Sequence, residues 1–166
     1  FKYGHSSLEE GSGFNGCFSS HIILRKGTHL VEIPDSMPDS HAVPANCALA
    51  TMVAVIEPLL KAEVRPERIM IQGAGLLGVY GAALLKHHGI KDVWVTDIVQ
   101  DRLELAKEFG AKVINSKNLD QLDSGSFDAV IEVAGVSKII SAGVKLLRPG
   151  GIYIWAGMVH DQTPLD

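Results

Sequence analysis

The strongest constraint on this chain is a glycine pattern between a buried strand and a helix. An apolar run at 69–72 leads into Gly73-Ala74-Gly75-Leu76-Leu77-Gly78, and a helical pattern over 76–88 follows. In such a turn the first glycine permits the tight bend, the second lets a pyrophosphate approach the backbone, and the third lets helix pack on strand. The helix N-terminus adds free N–H groups and partial positive charge. The pattern predicts a dinucleotide-binding turn.

A carboxylate after the second predicted strand extends this prediction. The strand at 92–96 is followed by Asp97, nineteen residues after Gly78. A carboxylate here accepts hydrogen bonds from the adenosine ribose and repels a 2′-phosphate, so NAD is predicted over NADP. The alternative is that Asp97 only caps the next helix. Ile98 is predicted to lie against the adenine, and Arg102 either reaches the ribose or a phosphate or is an exposed helix charge.

The rest of the chain alternates between strand and helix patterns. Further strands are predicted at 112–115, 127–133 and 152–155, helices at 101–109 and 137–147, and a turn at 148–151. Alternating elements with nearly continuous apolar strands indicate an α/β fold, a doubly wound parallel Rossmann sheet of five strands.

Ligands of such sheets bind beyond the carboxyl ends of the strands. The stretches at the ends of strands four and five either line the nicotinamide half or are ordinary turns: Val133, Ala134 and Gly135, then Ala156, Gly157 and Met158. Glu132 alternates out of strand four and is expected to be buried, with no partner that the sequence identifies.

The residues before this region have a different pattern. Strand-like runs at 20–24 and 29–33 precede Pro34 and Pro38, and they are too short to form a core alone. A helical pattern and polar linker follow. We divide the chain into residues 1–38, a connecting helix and linker at 39–68, a dinucleotide-binding domain at 69–160 and a tail at 161–166.

Composition narrows the function classes. Fifteen Lys and Arg against nineteen Asp and Glu give a formal net charge of −4, which gives no support to a nucleic-acid-binding surface. Two cysteines are too few for a disulfide-stapled secreted fold, so a reducing, cytoplasmic compartment is expected. The uncharged run at 69–85 is predicted to be strand, turn and helix rather than a membrane span.

Cys47 is the candidate metal ligand. It lies just after Pro44, where a helix is predicted to begin, and a helix N-terminus stabilises the thiolate that binds metal. Catalytic zinc needs three protein ligands, however, and a lone cysteine in an Ala/Leu/Val helix is typical of a small buried hydrophobe. Local chemistry leaves both interpretations open.

The order of these segments resembles the zinc-containing medium-chain alcohol dehydrogenase family over essentially the whole chain. The similar segments are Gly16-Cys17-Phe18-Ser19-Ser20-His21, Pro44-Ala45-Asn46-Cys47-Ala48-Leu49-Ala50-Thr51, Gly73 to Gly78, Asp97, and 101–106 with 109–111. Tyr3-Gly4-His5-Ser6-Ser7, together with Pro44-Ala45-Asn46-Cys47, is more weakly similar to a subgroup associated with phosphonate catabolism.

The resemblance implies an oxidoreductase. Cys47 is then similar in position to the third protein ligand of a catalytic zinc, and Thr51 packs beside the nicotinamide. Zinc acts as a Lewis acid on a small alcohol or aldehyde substrate, and a hydride passes between the alcohol and NAD. The resemblance also implies a homo-oligomer for the full-length enzyme, without nucleic-acid or membrane partners.

The departures from the family pattern are equally informative. The family's other two zinc ligands are expected upstream of this chain, and Gly4-His5-Ser6 lacks the family's Glu, so no ligand role is given to His5. The structural zinc lobe and the sixth sheet strand are also missing. The chain is expected to be the cofactor half of such an enzyme, with a short β remnant of its catalytic, GroES-like domain at 1–38. Its zinc site is incomplete, and the isolated fragment is expected to be inactive.

Two other functions stay open at this point. A methyltransferase that uses S-adenosylmethionine also has a glycine turn and an acidic end to strand two, and 147–151 resembles its turn before strand five. Gly78 and the Cys47 helix argue against it. The third interpretation is a non-catalytic dinucleotide-binding module, which the missing zinc ligands would favour if the chain were complete.

Overall fold

The first unit contains no regular element among its described residues. The structure, a computed structural model, describes Glu9 and residues 19–159, and it divides the chain into two compact units, Phe1–Met37 and Pro38–Asp166. The strands predicted at 20–24 and 29–33 are wrong: both segments are irregular, and Thr28 N–H donates to Arg25 O in a turn between them. The side chain of Val31 is 78% exposed, because no neighbouring strand among residues 19–37 covers it.

The second unit contains the helices and the sheet. Its strands are β1 (Arg68–Gln72), β2 (Asp92–Asp97), β3 (Lys112–Asn115), β4 (Phe127–Glu132) and β5 (Leu147–Trp155). Its α-helices are α1 (Asp39–Ala42), α2 (Ala50–Leu60), α3 (Leu76–His87), α4 (Gln100–Glu108) and α5 (Ile140–Leu146). A π-helical turn at Ala45–Leu49 and 3-10 turns at Ser116–Gln121 and Ser137–Ile139 complete it.

The five strands form one parallel sheet in the order β3-β2-β1-β4-β5. One face carries Ile69, Ile71 and their neighbours and packs against α2, α3 and α4. The other face carries Met70, Phe127 and Val130 and packs against Leu146 and the 3-10 turn at Ser116–Gln121. The predicted α/β doubly wound sheet is therefore confirmed. The order also places the ends of β1, β2, β4 and β5 along one edge, where a ligand is expected.

The boundaries of β5 differ from the prediction. Phe127 pairs with Leu147 and Ala129 pairs with Ile152, so the predicted turn at 148–151 lies inside the strand as an irregularity. Gly150 there has φ +74, which a glycine adopts without strain. The local turn signal was correct, but pairing with β4 continues the strand on both sides of it.

The segment Asp39–Leu60 is, within the described residues, the one stretch that is long and apolar enough to cross a membrane by length and composition. One such stretch is weak support for a span, since core helices meet the same criterion. Met52, Ile56 and Leu59 on α2 are at most 1% exposed and belong to the core that contains β1 and α3. In this structure α2 is thus a core helix with one open side. The tail at 161–166 and the residues Tyr3–Ser7 and Gly16–Phe18 lie outside the described residues.

Candidate functional site

In the glycine turn after β1, one glycine has free space where a side chain would be (an open position), and the two on either side of it do not (closed positions). Gly73 has φ +114, and a Cβ there would lie 3.1 Å from the backbone nitrogen of Ala134. A Cβ on Gly78 would collide with the carbonyl oxygen of Gly73, where α3 packs on the end of β1. A Cβ on Gly75 would meet nothing within 4 Å. The free space beside Gly75 is therefore where a ligand can approach the backbone at the N-terminus of α3.

Asp97 is tied to that turn. Its carboxylate accepts hydrogen bonds from the backbone N–H of Ala74 at 2.8 Å and of Val99 at 2.9 Å, and only 8% of the residue is exposed. Helix α4 begins after Val99, whose own side chain makes no cap bond, and the N–H of this N-cap residue donates to Asp97. A role for Asp97 at the start of α4 therefore stands beside the predicted ribose role. Each carboxylate oxygen has a further lone pair to offer a ligand hydroxyl. Arg102 is exposed, with its guanidinium 4.0 Å from the Asp97 carboxylate.

Exposed apolar side chains lie beside these polar groups in the chain. Leu76 directly follows Gly75, Ile98 directly follows Asp97, and Met158 directly follows Gly157; they are 55%, 69% and 74% exposed. Leu77, in contrast, is half-buried against the core. Apolar groups left in water at the ends of the strands suit contact with the flat faces of a bound ligand.

The turns after β4 and β5 approach each other. Val133 N–H donates to the carbonyl of Gln72 on β1 at 3.0 Å, which holds the start of the β4 turn against β1. Gly135 has φ +70, and a Cβ there would lie 2.7 Å from the carbonyl oxygen of Met158. The predicted nicotinamide-side residues Val133, Ala134, Ala156, Gly157 and Met158 thus form two touching turns at the same edge as the glycine turn.

Sequence reasoning left Glu132 without a partner, and the structure supplies one. Its side chain is fully buried, and one carboxylate oxygen accepts from the N–H groups of Ala134 and Gly135, each at 2.7 Å. Burial and the Glu132 charge raise the pKa of Tyr153, whose hydroxyl donates to Gln72 at 2.8 Å. These donors lie only two and three residues from Glu132 in sequence, but the sequence alone does not show that the turn directs their N–H groups at the carboxylate.

Cys47 and Thr51 lie on the α2 side of the sheet. Cys47 is exposed and falls in the π-helical turn rather than in the first turn of an α-helix. Thr51 lines an apolar groove of about 530 Å³ together with α2 residues and with Ile152 and Ile154 of β5. Thr51 therefore lies beside β5, the strand that Ala156 directly follows.

The metal-ligating side chains do not cluster in the part of the chain that the structure describes. No group of three or more His, Cys, Asp or Glu side chains there could hold a metal ion. Cys47 therefore has no companion ligands among those residues, and they do not form a zinc site by themselves.

Comparison with known proteins agrees with this geometry. Residues 77–166, more than half of the chain, match the family model described as zinc-binding dehydrogenase. The chain belongs to the zinc-binding dehydrogenase family. It is 29% identical over 173 aligned residues to an L-threonine 3-dehydrogenase of Legionella pneumophila. This alignment covers 94% of this chain and 47% of that protein. The chain thus spans about half the length of the curated relatives that it matches.

Solved structures give the same result for the fold. An alcohol dehydrogenase from Thermotoga maritima superposes with a TM-score of 0.78 at 28% identity, covering 97% of this chain and 47% of that one. An acetophenone reductase from Geotrichum candidum, solved in complex with NAD, superposes with a TM-score of 0.68 at 25% identity, covering 77% of this chain and 37% of that one. The family resemblance found in the sequence is confirmed.

Proposed function

We propose that this chain is the cofactor-binding part of an NAD-dependent, zinc-type alcohol dehydrogenase. The observation that carries the proposal is the glycine turn, in which Gly75 is open while Gly73 and Gly78 are closed, with the Asp97 carboxylate bound to the backbone of the same turn. The NAD complex of a structurally similar reductase supports the choice of ligand.

The residues fit a dinucleotide in a definite arrangement. Free N–H groups at the start of α3 bind the pyrophosphate, and the space beside Gly75 admits it. Asp97 accepts from the adenosine ribose hydroxyls, Ile98 packs against the adenine, and Arg102 reaches the ribose or a phosphate. The turns after β4 and β5, with Thr51, enclose the nicotinamide. Bound NAD would supply the hydride acceptor for the alcohol carbon, and these residues would orient it and exclude water.

The described residues do not by themselves provide a ligand set for zinc. Cys47 is the proposed ligand in the longer enzyme, where the other ligands come from outside the described residues. We expect this chain alone to bind NAD without oxidising an alcohol. In the longer protein we propose a small alcohol or aldehyde as substrate, a homo-oligomer, and a cytoplasmic location.

The two alternatives make different predictions. Family membership and the closed Gly78 position argue against the methyltransferase. The lack of a zinc ligand set among the described residues would favour a non-catalytic dinucleotide-binding module only if the chain were complete. Activity of the longer protein distinguishes the module from the enzyme.

The test of the cofactor is a titration of the chain with NADH, NADPH and S-adenosylmethionine, followed through tryptophan fluorescence. Trp155 is 48% exposed and directly precedes Ala156, so it is well placed to report binding. We expect saturable binding with NADH tightest. Binding of S-adenosylmethionine without NADH would overturn the dehydrogenase proposal, and tighter binding of NADPH would overturn the role given to Asp97.

A further inference from the structure

Glu132 binds four backbone N–H groups at the end of β4. Its carboxylate accepts from two consecutive amides of the turn after β4, those of Ala134 and Gly135. Its carbonyl accepts from two consecutive amides after β5, those of Ala156 and Gly157, each at 2.9 Å. One residue therefore holds the beginnings of both turns.

The glycines around Glu132 are packed so closely that no side chain fits at Gly157. A Cβ on Gly157 would collide with the second carboxylate oxygen of Glu132 and lie 2.6 Å from the Gly135 nitrogen. Gly73, in the phosphate turn, is in turn packed against Ala134. The turns after β1, β4 and β5 thus interlock, and the Glu132 carboxylate lies where the latter two meet.

Stability alone is a poor reason for a carboxylate at this position. Glu132 is fully buried, and its second carboxylate oxygen has no hydrogen-bond partner among the described residues. Burying a charged group is costly unless donors surround it, and an apolar side chain of similar volume often stabilises a core equally well. What an apolar residue cannot do is accept from the two turn amides.

We propose that Glu132 is a positioning residue for the nicotinamide half of the bound cofactor. It acts through the turns 133–135 and 156–158, which it holds in the shape that receives the ring. The inference rests on the proposed function and deepens it. The adenosine and pyrophosphate half is held elsewhere, by Asp97 and the glycine turn. A ligand that lacks the nicotinamide therefore distinguishes the role of Glu132 from the role of those residues.

The experiment compares NADH with ADP-ribose, which lacks the nicotinamide, on the whole chain. Glu132→Ala is expected to weaken NADH binding by about tenfold or more, since two charge-assisted hydrogen bonds to the turn are lost. The affinity for ADP-ribose is expected to change by less than about threefold, which is the effect of losing one weak contact. Glu132→Gln keeps an oxygen acceptor for the turn amides and is expected to restore most of the NADH affinity.

Asp128 provides a matched control at the opposite end of the same strand. Its carboxylate also accepts from two consecutive amides, those of Glu67 at 2.9 Å and Arg68 at 2.8 Å. Asp128→Ala is expected to leave the ratio of NADH to ADP-ribose affinity unchanged. Equal weakening of both ligands by Glu132→Ala, or no weakening of either, would overturn the inference.

Amide hydrogen exchange separates this inference from the proposed function. Without any ligand, Glu132→Ala is expected to speed exchange at Ala134 and Gly135, whereas Glu132→Gln is not. Unchanged exchange in Glu132→Ala would contradict the positioning role whether or not NADH binds. Failure of the unsubstituted chain to bind either NADH or ADP-ribose would refute the proposed function instead.

Discussion

Two alanine substitutions in the glycine turn separate folding from ligand binding. Gly75→Ala adds a methyl group that meets nothing within 4 Å, at a residue with φ −71, which any amino acid adopts. The weaker helix-capping preference of alanine and its lower unfolded-state entropy each contribute about 0.5 kcal/mol with opposite sign. The free energy of unfolding is therefore expected to stay within about 0.5 kcal/mol of the original.

NADH binding is expected to respond in the opposite way. The added methyl group occupies the space through which the pyrophosphate approaches the backbone, so affinity is expected to fall at least about tenfold, or 1.4 kcal/mol. Tryptophan fluorescence measures this affinity, and urea unfolding measures the stability.

Gly78→Ala is the matched control. Its methyl group would collide with the carbonyl oxygen of Gly73, so α3 must shift away from β1. Such overpacking costs about 1–3 kcal/mol of the free energy of unfolding, with NADH binding lost as well. The reasoning is refuted if Gly75→Ala binds NADH as tightly as the unsubstituted chain, or if Gly78→Ala is equally stable.

Three further substitutions test other parts of the structure. Asp97→Ala is expected to weaken NADH binding by about 1–3 kcal/mol and to reduce the preference over NADPH, and an unchanged preference in parallel titrations would contradict the ribose role. Burial alone would raise the pKa of Asp128. Hydrogen bonds from the Arg68 and Glu67 amides and from the Arg148 side chain, together with the positive charge of Arg148, outweigh this effect and hold the pKa below its ordinary value. The unfolded chain is then protonated first, so this stabilisation is complete above about pH 4, the ordinary aspartate range, and is lost as the pH falls through the folded-state value. Asp128→Asn should flatten the fall in unfolding free energy in that window, and an unaltered pH profile would count against it. Gly143→Ala places a Cβ 2.8 Å from the side-chain amide carbon of Gln72, so thermal unfolding should show a loss of about 1–3 kcal/mol. Unchanged stability would show that the Gln72 side chain or α5 shifts without cost.

The parallel sheet could be predicted because its strands carry their own signal. Strands buried on both faces are continuous apolar runs, and Ile69, Met70 and Ile71 are all fully buried. Glycines with positive φ end the helices at Gly89 and Gly110, as their positions in the sequence indicated. These features depend on neighbours in sequence, so a single chain reveals them.

Features that depend on distant pairing could not be predicted. The apolar runs at 20–24 and 29–33 have strand composition, but a strand also needs a partner, and residues 19–37 contain none. The hydrogen bond between Tyr153 and Gln72 joins residues 81 positions apart, and no local pattern indicates it. The hydrogen-bond donors to Glu132 come from two separate turns, so predicting them would have required the backbone path of both turns.

The most direct test of the central claim is a map of backbone amide shifts in the nuclear magnetic resonance spectrum as NADH is added to the chain. We predict saturable shifts at three places, the glycine turn 73–78, the end of β2 at Asp97, and the turns 133–135 and 156–158. Shifts confined to the opposite end of the sheet, near Arg68 and Asp92, or no saturable shifts at millimolar NADH, would contradict the claim that this sheet edge binds the cofactor.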